Sequence, residues 1–490
     1  MATSLIQTTD RRKLLTTGLA AGLLAASGMS LALRPSVGGR LRAALPGASF
    51  NDSWDARRGF GVFMAAAAQG AVFETLTEVA GDGALTGELA TGWTANSDAR
   101  QWVFGLRSGV TFHDGTPFDA ASVVESIQLH LEAGSQGAAW HLVSNIDGIR
   151  ATSAHQVQFT LHQGNADFPY LLSDRHLIIY PAGKIAQAMQ QGIGTGLYRV
   201  ALFEPGQRFV GWRVPGHYKD GQAGWFDQVE FLAANDANTR FSLLQSDRVD
   251  VSAQIDPIHA ENVENDGALR LVSTPGNQHI HLDLSQIQDP QIREAVRLGL
   301  DRNDALLGGL QGHGQIGHDS PFGPFNQHYT PSSASAFDPD YALSLMKSAG
   351  AVGFGLNLQG LGQYTALLEG AIWPSLTRAG FSQGNDATLT TSLWSGRATE
   401  DWMLSANTQL GGNRDDILQL RANLATQHNP DERAGLVAQI QERLRANGQF
   451  SIPLFASFLH AANRRVSQPA TQGNLWPMDN LRFAQRWWMS

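Results

Sequence analysis

"WVFGLRSGVTFHDGTPFDAASVVESI" runs from Trp102 to Ile127 and carries the most sharply written local structure of the chain. Val103, Leu106, Val110 and Phe112 alternate like a strand pair, broken by the turn residues Ser108 and Gly109. Asp114-Gly115 is a turn signature, and Pro117 fixes the exit from it. Val123, Val124, Ile127 and Leu131 then recur at helical spacing. Asp119 and Ser122 supply N-cap chemistry just upstream, and Gly134 closes the helix. His113 and Asp114 stand side by side at the centre, which raises the question of a metal ligand or an acid/base pair. No nucleophile or further ligand accompanies them. The stretch reads as strand, turn and helix, with His113 ending a strand and Asp114 building the turn.

The same alternation extends outward. "FMAAAAQGAVFETL" (63–76) has helical spacing. "GTGLYRVALFEPGQRFVGWRVPGHY" (194–218) is a hairpin pattern around Glu204-Pro205-Gly206. "FDQVEFLAANDANTRFSLLQSDRVDV" (226–251) gives strand, helix and a short strand at Val249–Val251. "HIHLDL" alternates, and "DPQIREAVRLGLDRNDALLGGL" is an amphipathic helix. "PDERAGLVAQIQERLRANGQFSIPLF" is a capped helix running into a strand. Strands alternate with helices throughout, so the fold class is α/β with α+β elements. Residues 33–45 show no sustained period and read as a loose leader.

Composition bounds the function. The 490 residues suggest roughly three domains' worth of chain. Apolar residues at 42% and charged residues at 16% fit a globular protein with a large core. The chain has no cysteine, which excludes disulfides, thiolate metal sites, catalytic thiols and cysteine-linked lipid anchors.

The N-terminus reads as an export address. Arg11 and Arg12 precede a modestly apolar, Ala/Gly-rich run from Leu14 to Leu33. Paired arginines before such a run resemble a twin-arginine signal. Ser30 and Ala32 suggest cleavage after Ala32. The competing reading is an uncleaved membrane anchor, which the Gly and Thr residues in the run weaken. Removal of residues 1–32 takes away Asp10, Arg11, Arg12 and Lys13, and the net charge of −9 becomes −11. No basic stripe stands against that charge, so a nucleic-acid partner is not expected.

Five blocks in order resemble the peptide/nickel type of extracellular solute-binding protein, which feeds binding-protein-dependent (ABC) transporters. The opening stretch is similar to that family's W-x-F-x-L-R-x-G-V-x-F-x-D-G-x-P-F-x-A-x-D-V segment almost residue by residue. "GTGLYRV" with "PGQRFVGWRVPGHY" resembles its G-T-G-P-Y block, with Leu197 in place of the usual proline. The 226–251 block, "IREAVRLGLDRNDALLGGLQGHGQIGHDSPFGP" (292–324) and "IPLFASFLHAANRRV" (452–466) complete the match, which covers about residues 55–488. The resemblance implies a two-lobed periplasmic-binding-protein fold, hinge-linked, with an extra subdomain in the first lobe. Carried onto this chain, 46–78, 190–272 and 463–490 form the first lobe. Residues 79–189 form the extra subdomain and 273–462 the second lobe. It also implies a monomeric periplasmic receptor, not an enzyme, without cofactor. Its partners are a small-molecule or short-peptide ligand and the permease and ATPase of the importer.

The resemblance points to ligand residues in two places. In "TSLWSGRATEDWM", Trp394 aligns with a ligand-contacting tryptophan, followed by Arg397, Asp401 and Trp402. Several peptide-binding members carry an Asp near here for the peptide's amino terminus, whereas this chain has Arg397, which favours a carboxylate. In the subdomain, Trp140 and Arg175 fall near a Trp and an Arg that contact the metal complex in nickel-binding members. Phe63 and Met64 fall at the rim of the first lobe. The packed-core reading stands beside the functional one for Trp394 and Trp402, and a surface pair with Asp174 stands beside it for Arg175. His279 and His281 share a strand face, and His313 and His318 share a loop, but no further ligand stands at metal-binding spacing. The alternatives to a peptide receptor are a receptor for a nickel chelate or another small amine or carboxylate, a sensor or chaperone on the same fold, and a secreted hydrolase. The last lacks G-x-S-x-G, H-E-x-x-H and any nucleophile–base grouping. The stretch between "MKSAG" and "TSLWSGR" is shorter than the family's usual second lobe.

Overall fold

The computed structural model describes residues 35–330, 336–360, 363–406 and 415–490. The export segment 1–32 lies outside the described residues. Among the described residues no helix is long and apolar enough to cross a membrane.

Two sheets organise the chain. The first has seven strands in the order 269–274, 458–463, 251–253, 40–45, 228–233, 208–213 and 198–204. The second has six, in the order 314–316, 450–456, 279–283, 387–394, 355–360 and 382–383. The chain crosses between them twice: after Thr274, and at Ser457, which links Phe450–Ala456 to Phe458–Asn463. A separate four-stranded antiparallel sheet spans 90–161, in the order 90–95, 101–106, 156–161 and 146–153.

The opening stretch builds part of that third sheet. Gln101–Leu106 is a strand, and the alternation beyond Gly109 makes only an isolated bridge between Thr111 and Pro117, where a second strand was expected. Gly115 has φ +84°, and the Asp114 carboxylate accepts from Thr116 N at 2.9 Å and Lys184 Nζ at 2.8 Å. The helix Ala120–Ala133 starts on Asp119, whose side chain accepts from Ser122 N. His113 turns away from Asp114, and its Nε2 meets the Gly196 carbonyl at 2.8 Å. The pair is therefore punctuation: each side chain ties its own turn to a different neighbour.

The leader expectation fails for Arg40–Leu45. This segment is a central strand, parallel to both Gln228–Ala233 and Val251–Ala253. Its arginines are paired within the sheet, Arg40 with Glu230 and Arg42 with Asp250 at 2.9 Å. The partners lie some two hundred residues away, so the local sequence shows only charge without period. "FMAAAA" forms the helix Val62–Ala67, which runs on as a π-helical turn, Ala68–Val72. The second sheet keeps one strand–helix–strand unit in the shortened stretch: Gly355–Gly360, Gln363–Arg378 and Ala387–Trp394. The helix Pro430–Asn447, capped by Asn429, buries Val437, Ile440 and Leu444 against Phe450, Ile452 and Phe455 of that sheet.

Candidate ligand-binding site

Trp394 ends its strand with the indole stacked on His281, centroids 4.3 Å apart and planes 5° apart. His279 flanks it at 5.9 Å. Burial pushes His279 down to about 3 and His281 down to about 4, so both rings are neutral at ordinary pH. His281 is thus a flat neutral backing for the tryptophan, and His279 meets it at a tilt of 56°. Among the described residues, no group of three His, Asp or Glu side chains could hold a metal ion.

The chain then turns, and Arg397 folds back on its own loop, Nη1 donating to Ser395 O at 3.1 Å and Gly396 O at 3.0 Å. Its guanidinium lies 5.2 Å from the Trp476 ring and 5.9 Å from the Trp402 ring. Arg175 approaches Trp476 to 4.5 Å. One indole is thus shared by two cations drawn from distant parts of the chain, within the range of cation–π attraction. Arg175, Arg397, Trp394, Trp476, Ser395, Leu393 and Met403 line a cavity of about 330 Å³. None of these seven is acidic, and the Nε of each arginine is buried without a hydrogen-bond partner. Burial lowers the pKa of both guanidiniums, opposed by Asp174. Arginine nonetheless keeps its charge. Asp174 itself is buried behind the site. Burial pushes its carboxyl up, but His176 at 2.7 Å and Arg175 outweigh that and hold it well below the usual carboxylate range.

The structure divides the remaining expected residues. Trp402 is 3% exposed and packs in the large core, with the Arg397 guanidinium over its ring. Asp401 faces a different cavity, of about 600 Å³, and is paired with Arg421 at 3.3 Å. Trp140 is half-buried at the start of Trp140–Val143 and packs against the core, while its neighbour His141 lines the larger cavity. Phe63 and Met64, at 0% and 1% exposure, are core residues and not a rim. Their helix has no polar face, and every residue from Phe63 to Ala67 is buried.

Sequence reasoning missed Trp476. Its position depends on an unusual turn: Met478, Asp479, Asn480 and Leu481 all have left-handed backbone, φ 53° to 62°. Each such residue costs about 1–2 kcal/mol. Tertiary hydrogen bonds hold them there. Asn480 Oδ1 accepts from Leu475 N at 2.9 Å and Trp476 N at 3.2 Å, and Asp479 Oδ1 accepts from Gly473 N at 2.7 Å. The one local signal was Pro477, which forces Trp476 into extended backbone.

A two-lobed chain with crossing strands and a cleft between the lobes defines the class of periplasmic binding proteins. The solved structure of AgaA from A. tumefaciens R10, in complex with agropinic acid, superposes with a TM-score of 0.78 at 19% identity, covering 92% of this chain and 99% of that one. DppA from Helicobacter pylori, in complex with the peptide STSA, gives 0.77 at 19% identity, covering 92% and 98%. These likenesses establish the fold. Residues 84–363, more than half the chain, match the family of bacterial extracellular solute-binding proteins, family 5 middle region, and the chain belongs to that family. The glutathione-binding protein GsiB of Escherichia coli is 26% identical over 281 residues, 54% of this chain and 53% of that protein. The chain spans about half the length of the curated relatives it matches.

Proposed function

We propose that this chain is the periplasmic receptor of an ABC importer and that it captures a small peptide or peptide-like solute bearing a carboxylate. The observation that carries this reading is the cavity faced by Arg175 and Arg397 over Trp476, with no acidic residue in its lining. Two guanidinium edges in a partly dry site are matched by a carboxylate, to which arginine can donate two parallel bonds. Trp394 and Trp476 supply flat apolar walls for the rest of the solute. The names of relatives, for glutathione and for a bound peptide, support the peptide-like class.

Capture is by closure. Arg175 stands on the first-lobe side and Arg397 on the second, so a solute bridging them binds the closed form better than the open one and shifts the population toward it. The loaded form is then handed to a membrane permease driven by an ATPase. In this reading the receptor is monomeric and is not an enzyme. Residues 1–32 direct export by the twin-arginine route, and the absence of cysteine leaves no thiol for a lipid anchor. The first lobe gathers 40–78, 190–274 and 458–490 around the seven-stranded sheet, so both expected crossings shift by a few residues. The subdomain is 79–189 and the second lobe 275–457.

Native mass spectrometry of the protein taken from the periplasm, followed by mass analysis of what denaturation releases, tests the reading. An anionic, amino-acid-derived solute is the expected result. A released cation or an uncharged sugar would overturn the carboxylate assignment.

A further inference from the structure

The loop 163–167 of the subdomain meets the second lobe at 424–433. Ala166 N donates to Ala425 O at 2.6 Å. Asp167 and Arg433 form an ion pair at 2.7 Å, their side chains 9% and 7% exposed. Arg433 is held independently of that partner: Nη1 donates to Leu424 O at 3.1 Å and Gln427 O at 2.9 Å, and Nε donates to His328 Nε2 at 3.2 Å. The second lobe thus presents a fixed guanidinium to whatever the subdomain brings. The approach is close, since a Cβ on Gly164 would lie 3.0 Å from Thr426 Cγ2 of the second lobe.

This contact stands between two cavities. Gly164, Asn165 and Ala425 line the one of about 600 Å³. Ala166, Asp167 and Arg433 line another of about 180 Å³ on the far side. Residues 164–165 line the first and 166–167 the second, so the Asp167–Arg433 pair stands at the boundary between the two linings. We propose that Asp167 and Arg433 are specificity-determining residues: they clasp the lobes together and set the largest solute the cleft can enclose. A buried ion pair suits this role, because breaking it leaves an uncompensated charge. The clasp makes opening costly and excludes solutes that would hold it apart. The size limit rests on the receptor reading above; the clasp itself does not.

The chain has no cysteine, so cysteines introduced at exposed His155 and Gln439 take nitroxide labels cleanly. Interlobe distances by pulsed electron resonance then compare wild type with Asp167→Asn, Asp167→Ser and Asp167→Glu, each first checked for native circular dichroism. The neutral variants are expected to add a longer-distance population, with Glu restoring the short one. Distributions that superpose on wild type in both neutral variants would overturn the clasp. Calorimetry with alanine peptides of two to six residues reads the size limit: the neutral variants are expected to accept longer peptides than wild type does. A moved distance with an unmoved length limit would overturn the specificity role. A wild type that binds no peptide of the series would count against the peptide-receptor reading, while the distances would still judge the clasp.

Discussion

The neutral imidazole beneath Trp394 makes a measurable claim about acid stability. His281 is buried, its Nε2 has no hydrogen-bond partner, and burial pushes it from its ordinary 6.5 down to about 4 against a weak upward pull from Asp283. The folded value lies below the unfolded one. Its contribution is therefore fully present above pH 6.5 and is lost as pH falls toward the folded value. At pH 5 the unfolded imidazole is almost fully protonated and the folded one is not. Linkage puts the loss between pH 7 and pH 5 at about 2 kcal/mol for this residue. His281→Phe keeps a flat ring under the indole and removes the titration. Denaturant unfolding at the two pH values should show wild type losing about 2 kcal/mol more than His281→Phe. His279 and His460, also pushed down to about 3 by burial, slope the same way in both proteins and cancel in the comparison. An identical pH dependence in the two proteins would refute the neutral stacked wall.

Other substitutions separate site from scaffold. Trp394→Ala should weaken solute binding by calorimetry while leaving the unfolding midpoint nearly in place, whereas Phe63→Ala, in the core, should cost about 3–5 kcal/mol of stability. Trp476→Ala removes the ring shared by Arg175 and Arg397 and should lower affinity about tenfold or more, the loss of one to two cation–π contacts; unchanged affinity would take Trp476 out of the wall. Arg397→Asp should shift the ligand ranking away from carboxylates, and an unchanged ranking would remove it from the site. Asn429→Ala deletes the cap of Pro430–Asn447, which accepts from Asp431 N at 2.9 Å, and should cost about 1 kcal/mol in denaturant melts.

What was legible in the sequence was local. Asp119, Gly134 and the spacing of Val123, Ile127 and Leu131 define their helix without outside help, and Glu204-Pro205-Gly206 does the same for its hairpin. Arg175, Trp394 and Arg397, named by resemblance, do converge on one cavity. What could not be read depends on partners far along the chain. Arg40–Leu45 is a strand because Glu230 and Asp250 neutralise its arginines. Trp476 is a wall because Asn480 braces a turn that nothing in "WPMDN" prescribes. Resemblance alone puts Phe63 at the rim, and the burial of every residue from Phe63 to Ala67 depends on elements packed on it from elsewhere in the chain.

The position of Phe458–Asn463 between Leu269–Thr274 and Val251–Ala253 bears on how the chain is made. The first sheet contains a strand synthesised among the earliest residues and another among the latest. The second sheet waits as well, because Phe450–Ala456 sits between Gly314–Ile316 and His279–Asp283. One short stretch, Phe450–Asn463, therefore completes both sheets almost together. Until the ribosome delivers it, each half-built lobe carries an unpaired strand edge, the kind of surface that recruits other chains. A chaperone that shields those edges, or a translation rate that shortens the wait, would act on the chain before the cleft exists.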